Sequence, residues 1–249
     1  MRLGFIGAGN MAQAMIGGIL AKEIVKKEDI IASAATQKTI DKVAKEFGIN
    51  VTLDNREVAK ADIVFLAVKP FYYEEVIDGI KDVVDEKQLI ISVAAGKSVE
   101  WVENAFGGKK KIVRIMPNTP ALVGEAVTAI CPNANITDGE KQEIVELIAS
   151  FGLAQIVSEK IMDAVIAVSG SSPAYVFMFI EAMADAAVAE GMPRVQAYQF
   201  AAQSVLGSAK MVLETGKHPG ELKDMVCSPS GTTIEAVKVL EEKGFRSSI

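Results

Sequence analysis

Histidine is almost absent from this chain: His218 is the only one among 249 residues. A metal site built on histidines is therefore excluded, and so is any histidine-dependent triad that does not use His218. No metal site is expected. His218 stands in "GKHPGE", just before a Pro-Gly helix start, where a surface cap is expected. Cysteine is nearly as scarce. Cys131 and Cys227 lie far apart and form no CxxC, so no disulfide framework exists. Positive charge is in deficit, with 26 Lys and Arg against 32 Asp and Glu and a formal net charge of -6. The one basic cluster, Lys109 to Lys111, follows Gly107 and Gly108 and reads as a solvated loop. Such a chain is a poor binder of phosphate backbones, and no nucleic-acid partner is expected. The opening "MRLGFIGAGN" lacks the apolar region of a signal peptide. The most apolar stretch, "AYVFMFIEAMADAAVAEG", carries Glu181, Asp185 and Glu190, so no membrane span is expected. These absences point to a soluble protein in a reducing, cytoplasmic setting.

What is present divides in two. Up to about Ser158, short apolar runs alternate with helical patterns. "RLGFIG", "DIIAS", "ADIVFLAVKP", "QLIISVAAG" and "KIVRIMPN" read as strands. "NMAQAMIGGILAK", "TIDKVAKEFG" and "YEEVIDGIKDVV" read as helices between them. Continuous Val/Ile/Leu strands separated by helices imply a parallel sheet covered on both faces, a doubly wound α/β domain of Rossmann type over 1–158. From 159 to 249 strand patterns vanish. Ser172 with Pro173, Gly191 with Pro193, and Gly216 punctuate long Ala-rich helices. Helices apolar on several sides need partners, and about ninety residues enclose little interior. An all-helical domain that shares its surface with a second copy is expected.

Directly after the first strand, "GFIGAGNMA" places Gly7, Gly9 and Ala12 in a G-x-G-x-x-A pattern that opens a helix. Gly7 permits the tight turn, Gly9 lets a pyrophosphate approach the backbone, and Ala12 lets helix and strand pack closely. The second strand ends in "ASAATQK", without the carboxylate that an NAD site usually offers. Ser33, Thr36 and Lys38 there suit a 2′-phosphate, which favours NADPH, with NADH as an alternative coenzyme. The strand endings "AVKP" and "VAAG" point to the same crevice.

The stretch "CSPSGTT", Cys227 to Thr233, is a second concentration of small donors ahead of the helical pattern "TIEAVKVLEEKG". Thr232-x-x-Glu235 has the form of a capping box. Such a helix start also suits an anion, and capping does not account for Ser228, Ser230 and Thr233 together.

Five stretches together resemble the pyrroline-5-carboxylate reductase family: "GFIGAGNMA", "DNREVAKADIVFLAVKP", "VRIMPNTPA", "SGSSPAYVF" and "HPGELKDMVCSPSGTTIEAVKVLEEKGF". They follow the family's order along almost the whole chain. The resemblance implies reduction of pyrroline-5-carboxylate to proline with NADPH. It also implies a C-terminal domain that dimerises by interlocking helices, within a larger ring such as a decamer. For the coenzyme it implies Ile6, Gly7, Ala8, Gly9, Asn10 and Met11 at the pyrophosphate, and Ser33 at the 2′-phosphate. Asn55, then Ala67, Val68, Lys69 and Pro70, and Val93, Ala94 and Ala95 are implied to contact the coenzyme. It implies Ser230, Gly231, Thr232 and Thr233 around the substrate carboxylate, with the Thr233 hydroxyl on the ring nitrogen as the catalytic group. This chain has Ser172 and Ser230 where the family commonly has glycine, and Met225 where an asparagine is frequent. It also stops at "GFRSSI", where relatives continue. Two other readings remain beside it. One is a β-hydroxyacid dehydrogenase, which needs a helical-domain lysine that Lys160 and Lys210 do not supply in a matching motif. The other is an NADP sensor without turnover.

Overall fold

The computed structural model describes residues 1–249, which fall into two compact units, Met1–Ala174 and Tyr175–Ile249. The division falls after Ala174 rather than after Ser158. The intervening residues pack into the first unit: Met162 is buried in its core, and Glu159 pairs with Arg114 at 2.8 Å.

The first unit is built on eight strands: β1 (Leu3–Ile6), β2 (Ile30–Ser33), β3 (Asn50–Thr52), β4 (Ile63–Leu66), β5 (Leu89–Ser92), β6 (Lys111–Met116), β7 (Ala126–Pro132) and β8 (Gly152–Ile156). They lie in the order β3-β2-β1-β4-β5-β6-β7-β8. Helices α1 (Asn10–Ala21), α2 (Gln37–Phe47), α3 (Asn55–Val58), α4 (Tyr73–Ile80), α5 (Val99–Ala105), α6 (Asp138–Ile148) and α7 (Met162–Val165) connect and cover them.

Strand alternation sorts the core into two layers. Leu3 and Phe5 of β1 face Met15, Ile16 and Ile19 of α1, Val43 of α2, and Leu147 and Ile148 of α6. Ile6 of the same strand faces Val58 of α3, Tyr73 and Ile77 of α4, and Val102 of α5. Phe5 and Phe65 stack at 4.4 Å and are wholly buried, which is worth about 1.5–3 kcal/mol for each ring. Local signals agree with the helix starts. Thr36 caps α2 by accepting from Thr39 N, and Gly48 closes that helix in the left-handed conformation.

The sheet departs from the expected all-parallel arrangement at one place. β7 runs antiparallel to β6, while β8 runs parallel to β7. The cause is the connection: a one-turn 3-10 segment, Thr119–Val123, joins β6 to β7 in place of a crossover helix. The strands β3, β7 and β8 carry no long apolar run, and the sequence patterns pass over them.

The second unit holds most of α8 (Ser172–Ala189), then α9 (Arg194–Thr215), α10 (Pro219–Met225), α11 (Thr232–Glu242) and α12 (Phe245–Ser248). Ser172 does not start α8 as a free cap, because the chain enters that helix from a π-helical turn, Ile166–Gly170. His218 does cap α10, its Nδ1 accepting from Gly220 N at 3.1 Å. The interior of this unit is a small cluster around Ala184, Ala197 and Ala201. Phe177, Phe200 and Leu213 are 61%, 67% and 78% exposed, so its apolar residues face outward within a single chain. The continuous helical stretch Glu159–Ala189 has the length and hydropathy of a membrane span. Outward-facing apolar helices have the same composition when they pack against another copy.

Candidate active site

The expected coenzyme residues of the first unit gather at the carboxyl ends of β1, β2, β4 and β5. Gly7 follows β1 with φ +96, and a Cβ there would stand 2.7 Å from the Ala67 carbonyl oxygen. Glycine is therefore required where the first loop passes the end of β4. Gly9 is the N-cap of α1, and no side chain caps that helix. A Cβ at Gly9 would meet nothing within 4 Å, and Asn10 beside it is exposed. The first-turn N–H groups of α1 thus lack helical partners and are met by no carboxylate, the arrangement that receives a pyrophosphate. Ala8 is buried; its carbonyl accepts from Gln13 Nε2 at 2.7 Å, and Gln13 in turn accepts from Lys42 at 3.2 Å. Ile6 is buried in the sheet and Met11 half-buried, so these two contribute backbone and packing.

At the end of β2 the structure corrects one expectation. Ser33 is fully buried, and its hydroxyl donates to Asn55 Oδ1 at 2.6 Å. It does not stand free for a 2′-phosphate. Beyond it Ala35, Thr36, Gln37 and Lys38 are exposed, and none is acidic. Thr36 is engaged as the cap of α2. The Lys38 side chain and the first turn of α2 are the groups left to meet a phosphate. This donor set fits NADPH, whose extra phosphate meets no carboxylate at this strand end.

Ala67 continues from β4 with its N–H on the Ile6 carbonyl at 2.8 Å. Val68 is half-buried, Lys69 exposed, and Pro70 starts a 3-10 turn. Val93 continues from β5, its N–H on the Leu66 carbonyl at 3.3 Å; Ala94 is buried and Ala95 exposed. The two loops leave neighbouring strands side by side. Sequence reasoning missed Gln13, and it missed the part played by Asn118. Asn118 is buried; it accepts from Val127 N and donates to the Ser169 carbonyl, both at 3.0 Å. It ties the "MPNTPA" loop to the π-turn, a role that only tertiary contacts reveal. An apolar cavity of about 320 Å³ lined by Val127, Gln155, Val165 and Ser169 involves none of the expected coenzyme residues.

In the second unit, Ser230, Gly231, Thr232 and Thr233 come together at the start of α11. Here the capping box expected from Thr232 and Glu235 is overturned. The N-cap is Gly231, and no side chain caps the helix. Gly231 N donates to the Ser228 carbonyl at 3.0 Å, and an added Cβ at Gly231 would overlap the Ser228 hydroxyl. Thr232 and Thr233 are the first two helical residues and both are exposed. Ser230 takes φ +57, a left-handed conformation that glycine adopts more easily. The result is a turn of small residues leading to free N–H donors and two threonine hydroxyls.

A Rossmann-type cradle shaped for NADP, joined in one chain to a helical unit with outward apolar faces, defines the class: a self-associating NADP-dependent oxidoreductase. The comparisons with known proteins agree. Residues 2–96 match the family described as NADP oxidoreductase coenzyme F420-dependent, and residues 159–249 match Pyrroline-5-carboxylate reductase dimerisation. The chain is 51% identical to the pyrroline-5-carboxylate reductase of Escherichia coli (strain K12), over 100% of its own length and 93% of that protein's. A solved pyrroline-5-carboxylate reductase from Coxiella burnetii superimposes with a TM-score of 0.90 at 36% identity, covering 99% of this chain and 92% of that one. So does the Plasmodium falciparum pyrroline carboxylate reductase with NADP bound, at TM-score 0.90, 34% identity, and 100% and 92% coverage. This chain belongs to the pyrroline-5-carboxylate reductase family.

Proposed function

We propose that this protein reduces the cyclic imine pyrroline-5-carboxylate to L-proline with NADPH, the last step of proline biosynthesis. The observation that carries this reading is a pair of helix starts that no side chain caps. One, α1 at Gly9, sits in the first unit beside the glycine turn. The other, α11 at Gly231, sits in the second unit beside Ser230, Thr232 and Thr233. Each is a site for an anion, the first for a pyrophosphate and the second for a carboxylate.

NADPH supplies the hydride that adds to the ring carbon of the C=N bond. The chain's own groups then have three tasks. The first turn of α1, with Gly7 and Gly9, holds the pyrophosphate. The Gly231 N–H is taken by the Ser228 carbonyl, so the free backbone N–H groups of Thr232 and Thr233 in the first turn of α11 hold the substrate carboxylate, which fixes the ring. The Thr233 hydroxyl hydrogen-bonds to the ring nitrogen and keeps its proton in place, so the amine leaves neutralised. No histidine or carboxylate is needed as acid, in keeping with a single histidine that is already committed to capping α10.

We infer further that the dimer assembles into a larger ring such as a decamer, with the outward apolar residues of α8 and α9 supporting that reading. A cytoplasmic location is supported by two free thiols, Cys131 and Cys227, in a chain with no disulfide. Incubation with racemic pyrroline-5-carboxylate and NADPH, with product analysis, tests the activity. Formation of L-proline supports it, and NADPH left unconsumed contradicts it.

A further inference from the structure

Tyr73 is the first residue of α4 and is completely buried. A phenol hydroxyl so placed costs stability unless it is bonded. It is bonded to capacity. The hydroxyl donates to the Leu66 carbonyl at 2.6 Å, and it accepts from Val93 N at 3.1 Å and Ser92 Oγ at 3.2 Å. Leu66 and Ser92 are the last registered pair of the β4–β5 ladder. Just beyond them the chain parts into the loops Ala67–Pro70 and Val93–Ala95. The hydroxyl sits in that fork and holds both sides. A phenylalanine would fill nearly the same volume, so core packing does not explain the oxygen. The second loop is also fastened beyond its far end, where Lys97 Nζ lies 3.6 Å from the Trp101 ring, and that ring stands 6.4 Å from the ring of Tyr73.

We propose that Tyr73 is a positioning residue for the coenzyme, setting the spacing of the two loops that flank it. The inference rests on the reading that these loops contact NADPH. Tyr73 itself is buried beneath them and acts through Leu66, Ser92 and Val93. Burial pushes its phenol up to about 12, so the hydroxyl stays a protonated donor across the neutral range and its effect is independent of pH there.

The test is Tyr73→Phe, with Ile77→Val as control. Ile77 lies one turn along α4, wholly buried in the same core layer, and touches neither loop by hydrogen bond. In Tyr73→Phe the Val93 amide exchanges faster in the coenzyme-free protein. The NADPH dissociation constant rises about tenfold, as expected for one net hydrogen bond's worth of preorganisation. Turnover at saturating NADPH stays within about twofold of the parent, because only binding is affected. Ile77→Val lowers the melting temperature yet leaves the dissociation constant unchanged. An NADPH dissociation constant unchanged in Tyr73→Phe overturns the role of the hydroxyl, as does one that Ile77→Val shifts equally. A parent protein that fails to bind NADPH overturns the coenzyme reading instead.

Discussion

The Ser33 hydroxyl donates to Asn55 Oδ1 at 2.6 Å, joining the end of β2 to the first residue of α3. Ser33 has no exposed surface. The bond fixes the Asn55 amide through its Oδ1, and we propose that this amide contacts the coenzyme beside the 2′-phosphate. Ser33→Ala therefore removes a support. The expected outcome is a rise of about tenfold in the NADPH dissociation constant, the worth of one hydrogen bond, with little change for NADH. Fluorescence titration with both coenzymes checks this; equal shifts for the two contradict it.

Gly7 cannot be replaced without strain. Its φ of +96 and the Ala67 carbonyl 2.7 Å from any Cβ act together. Gly7→Ala is expected to cost about 1–3 kcal/mol in stability, through backbone strain and overlap at the first loop. Coenzyme binding is expected to weaken as well. Chemical denaturation beside a coenzyme titration measures both, and a variant as stable as the parent would refute the geometry.

The two threonines of α11 separate capping from chemistry. Thr232 is the first helical residue, with Gly231 as cap. Thr232→Ala is therefore expected to shift stability by less than about 0.5 kcal/mol, below the usual cost of losing a cap. Thr233→Ala is expected to lower turnover about tenfold or more, toward the low end of what a positioned proton donor supplies. NADPH affinity stays near the parent value, and Thr233→Ser retains much of the activity. Thermal melts and steady-state kinetics on the three variants decide between the roles.

Acid stability has a named contributor. Lys111 holds the Glu140 carboxyl below its ordinary value of 4.5, with further help from the Thr137 N–H in the capping box of α6. A carboxyl depressed in the folded state stabilises above its unfolded pKa, and that gain is lost as pH falls through the folded pKa. The window is therefore below about pH 4.5, and the gain is present at neutrality. Glu140→Gln is expected to flatten the fall of melting temperature with acid in that window. An unchanged acid limb would show that the pair contributes nothing.

Most of the fold is written in local pattern. The buried strands β1, β4 and β5 are short runs of mostly apolar residues, β6 is apolar apart from Lys111 and Arg114, and α2 carries both of its end signals in Thr36 and Gly48. The antiparallel β7 is not written that way, because its direction follows from a short 3-10 connection rather than from strand composition. The cradle at Gly7 and Gly9 was legible because a G-x-G-x-x-A spacing follows a strand and opens a helix; at Gly7 the backbone itself requires glycine, with φ +96, whereas Gly9 is extended and open on its outer side. Two site assignments were not. Ser33 looked like a free donor, but its burial and its partner Asn55 lie twenty-two residues apart in sequence. Thr232 looked like a cap, but Gly231 took that place because Ser228 folds back beneath it. Tyr73 carries no motif at all; its role depends on two strand ends meeting in space.

The central claim is that a hydride from NADPH reaches the imine carbon of pyrroline-5-carboxylate. The most direct measurement uses NADPH carrying deuterium at the transferable nicotinamide position. The account predicts L-proline with one deuterium, on the ring carbon that had been double-bonded to nitrogen. Unlabelled proline, or labelled coenzyme left unconsumed in the presence of the imine, would contradict it.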